Sequence, residues 1–69
     1  MTQEELDARF DYHPPKGCQP AKYSLIRDEA KDFARKVDAF CPEGREKSLA
    51  LTNIEQAVMW ANAAIARNE

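Results

Sequence analysis

The 69-residue sequence predicts an all-α protein with a short N-terminal helix, a proline-containing linker and a long antiparallel two-helix hairpin that assembles into a homo-oligomeric helical bundle. Three observations carry that expectation. Two long stretches repeat apolar residues at alternating three- and four-residue steps, and a break containing Pro42 and Gly44 separates them. The C-terminal stretch also holds more apolar surface than one helix-helix seam consumes.

The N-terminal element follows from Thr2 and Glu5, which have the spacing of a capping box, so Thr2 to about Arg9 reads as a short helix with Leu6 and Phe10 as its apolar contacts. Phe10 to Gln19 carries Pro14, Pro15 and Gly17, which break helix and favour extended backbone. Pro20 suits a first helical turn, and the second helix should run to about Phe40 or Cys41, ahead of Pro42. Along it Tyr23, Ile26, Ala30, Phe33, Val37 and Phe40 form one seam, with Lys22, Asp28, Lys31, Asp32, Arg35 and Lys36 on the outward side. Cys41-Pro42-Glu43-Gly44 has the chemistry of a tight reversal, and so short a connection makes its neighbours antiparallel. The third helix should start near Arg45 and reach Ala66 or beyond, presenting Leu51, Ile54, Val58, Ala61 and Ile65 to the first seam.

Residues 1–69 read as a single helical-hairpin domain, and a core of this size buries too little apolar surface to be comfortably stable alone. Cys18 and Cys41 could form one bridge at most, and no apolar signal segment precedes them, so a reducing intracellular setting is expected. His13 is the only histidine and no Cys-x-x-Cys pair occurs, which gives little basis for a metal. Oligomerisation is the supplement that remains. Leu49, Trp60 and Ala63 lie opposite the seam of the third helix with Met59 between, an apolar side expected to meet other copies. No run of about 18 apolar residues is present to span a membrane. Ten Lys and Arg against twelve Asp and Glu leave a net charge of −2, which disfavours binding a DNA or RNA polymer but permits a small anion in a local basic pocket.

Tyr12 and His13 are rigid rings on a non-helical segment, placed either to stack on a planar ligand or to pack the linker against the hairpin. His13 has no visible nucleophile or orienting partner that would make it a catalytic base. Lys16, Gly17 and Lys22 surround the start of the second helix, where free N–H groups favour phosphate, and Arg27 and Lys31 continue that side; a solvated face with ion pairs is the competing reading. Arg45, Thr52, Gln56 and Arg67 share the broad side of Leu49 and Trp60. No Gly-rich phosphate motif occurs, and neither a metal cluster nor paired catalytic carboxylates are visible, so no enzyme activity, cofactor or metal is expected.

Taken together, Arg45-Glu46-Lys47-Ser48-Leu49-Ala50-Leu51-Thr52 and the run from Glu55 through Met59-Trp60-Ala61-Asn62-Ala63 to Arg67 resemble the helical-hairpin domain of phage anti-CBASS sponge proteins. Phe10-x-Tyr12-His13-x-Pro15 and Tyr23-x-x-Ile26-Arg27 are similar to the same pattern, and a related hairpin occurs in anti-Thoeris sponges. The resemblance covers nearly the whole chain. It implies a phage immune-evasion protein in the host bacterial cytoplasm that sequesters cyclic oligonucleotide messengers without cleaving them and so blocks CBASS effectors. It also implies a homohexamer holding cyclic dinucleotides such as 3′,3′-cGAMP between protomers and, in some members of the family, cyclic trinucleotides in separate pockets. By position it implies that Tyr12 stacks on a base, that a basic residue of the second helix, Arg27 first and Lys31 as second choice, meets phosphate, and that Arg67, with Asn68 beside it, serves the trinucleotide. A host-protein-binding module acting through the Met59/Trp60 face is the alternative.

Overall fold

The structure, a computed structural model, describes residues 1–69 and consists of three helices with no strand. Helix α1 spans Gln3–Phe10, α2 Gln19–Phe40 and α3 Arg45–Asn68. The Thr2 hydroxyl accepts the Glu5 N–H at 3.1 Å, as the capping spacing requires, and α1 ends where the Asp11 N–H donates to the Asp7 carbonyl. Helix α2 begins one residue before Pro20, which occupies the first turn, and stops at Cys41, whose N–H donates to the Val37 carbonyl. Helix α3 continues to Asn68.

The hairpin is antiparallel. At its open end Gln19 Nε2 donates to the Ile65 carbonyl and Lys22 pairs with Glu69 at 2.8 Å; at its closed end Lys47 pairs with Asp38 at 3.0 Å and with Glu43 at 2.6 Å. Lys47 is buried although charged, and the two carboxylates account for that. The hydrogen bond to Glu43, then the one to Asp38, raises the Lys47 ammonium above its ordinary 10.5.

The molecule measures 46 × 29 × 13 Å, and 13 Å is close to the ~10–12 Å thickness of a single helix with its side chains. The hairpin is therefore one layer. Its radius of gyration is 15.2 Å where a compact chain of this length has about 11 Å. Its surface is 5606 Å² where a compact monomer of this mass exposes about 4,400 Å².

No apolar side chain is buried. Most of the seam, including Tyr23, Ile26, Val37, Leu51, Ile54 and Val58, is half-buried, but its members Phe33 and Phe40 are 58% and 81% exposed. The reason is geometric. Two helices cover only the line along which they touch, so side chains beside that line keep one flank open. Both flanks are apolar grooves. The larger, about 630 Å³, lies between Ile26, Phe33, Val37, Ile54 and Ala57, and the smaller, about 430 Å³, between Ala34, Leu51, Val58 and Met59.

Candidate functional site

The linker is folded back by local hydrogen bonds. His13 Nε2–H donates to the Ala8 carbonyl at 2.9 Å, tying the linker to α1. The Gln19 side chain, 3% exposed, accepts the Lys16 N–H through Oε1 and donates to Ile65, tying the linker to the end of α3. Gly17 makes this path possible with φ +55°, a left-handed conformation that L side chains adopt at a cost.

This fold-back borders an open pocket of about 510 Å³ at the open end of the hairpin. The last turn of α1 contributes Arg9, the linker Tyr12, His13 and Pro15, α2 Tyr23 and Arg27, and α3 Asn62, Ala63, Ala66 and Arg67. Tyr23 and Arg27 are four residues apart, as are Asn62 and Ala66, and Ala63 and Arg67, so each helix presents its share from one face. The alanines let the linker approach α3 closely.

Three guanidinium groups and no carboxylate line this pocket, in a chain whose net charge is −2. Arg9 and Arg67 form no ion pair, and Arg27 makes only a 3.5 Å contact to the Ser24 hydroxyl. Tyr12 is 82% exposed and leaves its ring face free. Asn62 also lines the pocket, and its buried Oδ1 meets no donor from the protein. Flat rings, free cations and a volume within the range of small-molecule sites describe a receptor for a planar anion. Proton transfer would need a group oriented for it. The one candidate, His13, spends Nε2–H on the Ala8 carbonyl of α1.

The expected site residues divide by location. Tyr12, His13 and Arg27 converge. Arg67, expected in a separate pocket, lies with them and also lines a 390 Å³ groove between Arg9, Phe10 and Trp60. Lys31 stands outside the Tyr12 pocket, in the Leu51/Met59 groove that shares Arg27. Lys22 turns to Glu69, whose hydrogen bond raises its ammonium above the ordinary 10.5, and does not line the pocket. Asn68 Nδ2 donates to the Ala64 carbonyl of its own helix. Of the residues expected to meet other copies, Leu49, Met59 and Trp60 are exposed and Ala63 is half-buried in the pocket wall.

Arg9, Tyr23 and Asn62 belong to the pocket without having been singled out for it. Tyr23 fits the seam pattern equally well, and Asn62 carries no local signal. Arg9 could have been suspected from standing three residues before Tyr12, on the same folded-back segment.

A family model described as Acb2/Tad1, hairpin domain, matches residues 2–66. The chain belongs to the Acb2/Tad1 hairpin family. No curated protein and no solved structure matches it. Membership of the Acb2/Tad1 hairpin family agrees with the resemblance to anti-CBASS and anti-Thoeris sponges and accounts for the all-helical hairpin. The family is one of sponge-type, binding domains.

Proposed function

We propose that this protein sequesters cyclic oligonucleotide second messengers in the host bacterial cytoplasm, withholding them intact from CBASS effectors. The observation that carries the reading is the convergence of Tyr12, Tyr23 and three unpaired arginines on one pocket free of carboxylates. A cyclic dinucleotide such as 3′,3′-cGAMP offers two bases and two phosphates of approximate two-fold symmetry. Two copies of the pocket, one from each protomer of a two-fold pair, give each half a ring for its base and guanidiniums for its phosphate. Tyr12 is the stacking platform, Arg27 the phosphate contact, and His13 the residue that holds the linker in place. Lys31, in the neighbouring groove that shares Arg27, is the second choice for phosphate, and Lys22, paired with Glu69, is a candidate at the margin. Cyclic trinucleotides are assigned to the groove of Phe10, Trp60 and Arg67, with Asn68 beside it, and the assembly is a homohexamer.

Sequestration needs affinity and no turnover, since bound messenger is withdrawn by mass action. Calorimetry with 3′,3′-cGAMP should show saturable binding, and heat denaturation of the complex should return intact ligand. Tyr12→Ala should weaken binding by roughly 1–3 kcal/mol, the worth of one base-aromatic stack, without changing the oligomer. Absence of heat with every cyclic di- and trinucleotide would remove the proposal. A second reading is favoured by the 62% and 68% exposure of Met59 and Trp60, namely a small module binding a host protein through that face. Capture of one defined host protein, lost in Trp60→Ala and indifferent to nucleotide, would select it.

A further inference from the structure

The Tyr12 pocket is bounded by the C-terminal ends of two helices, with Arg9 in the last turn of α1 and Ala66 and Arg67 at the end of α3. Helix C-termini present unsatisfied carbonyls and the negative end of the macrodipole, so the backbone on these two sides opposes an anion. Phosphate there must be held by side chains. Arg27 approaches from α2 alone, while Arg9 and Arg67 approach together and line both this pocket and the Phe10/Trp60 groove.

The ordinary role of an arginine at a helix end is to complement the dipole, worth about 0.3–1 kcal/mol at the surface. That role does not require Arg9 to share a pocket with two other guanidiniums. Acidic residues were at hand on the same helix. Glu4, Glu5 and Asp7 all precede Arg9 in α1, yet Arg9 pairs with none of them, and Asp7 accepts instead from Gln3 at 2.8 Å. Like charges gathered without a counter-charge are unfavourable until an anion arrives.

We infer that Arg9 is a phosphate-binding residue of the Tyr12 pocket, an assignment that rests on the reading of that pocket as a cyclic-nucleotide site. Its guanidinium supplies the donors for one ligand phosphate from the side opposite Arg27, so that the phosphate is held between α1 and α2. Helix α1 buries no residue against the hairpin, so ligand bound through Arg9 adds a tie that α1 otherwise lacks.

The test is calorimetric titration of wild type, Arg9→Gln and Arg9→Lys with 3′,3′-cGAMP at several salt concentrations, with circular dichroism of each free protein as the folding control. Arg9 is exposed, so both variants should keep the wild-type spectrum and melting. Loss of the charge-assisted hydrogen bonds should weaken Arg9→Gln roughly 10- to 100-fold and flatten the dependence of affinity on salt, with Arg9→Lys in between. Wild-type affinity in Arg9→Gln overturns the inference and leaves the pocket reading intact. A loss of affinity with undiminished salt dependence also overturns it, because arginine would then act by packing. No binding by the wild type overturns the pocket reading and this inference together.

Discussion

Gly17 and Tyr12 set the pocket at the scale of single residues. Gly17 is the linker residue whose φ of +55° an L side chain resists, while a methyl group added there would meet nothing within 4 Å. The cost of Gly17→Ala is therefore backbone strain alone, about 1–2 kcal/mol, and thermal melting should show a loss of that order. The same strain loosens the fold-back that carries Tyr12, so cyclic-nucleotide affinity should fall with it. A melting curve unchanged from wild type would mean that the linker takes another path. Arg9, Arg27 and Arg67 illustrate a second point at this scale. A chain of net charge −2 can still concentrate positive potential, because its carboxylates lie outside this pocket and three guanidiniums are left to face it unopposed.

Among the elements, the hairpin turn is held by charge and the pocket end by hydrogen bonds. Lys47 links Asp38 of α2 to Glu43 of the turn, and its raised pKa has a thermodynamic consequence. Its folded pKa lies above the 10.5 of the unfolded chain, so the stabilisation is fully present below pH 10.5 and disappears as pH climbs through the raised value. Lys47→Met should melt below wild type at neutral pH, and the gap between the two should narrow above pH 10.5. An equal gap at neutral and strongly alkaline pH would contradict the clamp. Lys22 and Glu69 form a similar but exposed pair at the open end, where solvent screening leaves little energy in it. Helix α1 is different in kind. It depends on the Thr2 cap and the His13–Ala8 tie, and eight residues with no buried side chain are too few to be stable alone.

For the whole molecule, the large exposed surface is what the proposed homo-oligomer would cover. The isolated hairpin exposes about 1,200 Å² more than a compact protein of its mass, which exceeds the ~800 Å² that one partner contributes to a stable interface. Ile54 lines both flanking grooves. Placing a carboxylate there with Ile54→Asp should dissociate the proposed assembly and reduce helicity together, as read by sedimentation and circular dichroism, since the hairpin has no other apolar core. If the proposed assembly encloses the exposed Trp60 between copies, Trp60→Ala should lower its stability by about 3–5 kcal/mol, the cost of deleting a buried aromatic side chain. Melting independent of protein concentration in the wild type would show that the hairpin stands alone.

Periodicity and punctuation in the residues were enough to determine three helices, their bounds to within one or two positions, the antiparallel hairpin and an apolar side in excess of one seam. Those features are local, since Thr2, Pro20, Pro42 and a 3.6-residue repeat act through bonds a few positions away. The Met-Trp-Ala-Asn-Ala block and its surroundings also carried the family, which the match over residues 2–66 bears out. Only the tertiary structure decided who shares a pocket. It brought Arg67 to Tyr12 across 55 positions of chain and sent Lys22 to Glu69 across 47, while Tyr23 joined from the seam and Arg9 from the end of α1. The register in which a linker folds back on a hairpin is set by non-local bonds such as Gln19 to Ile65, and no spacing within either segment encodes it.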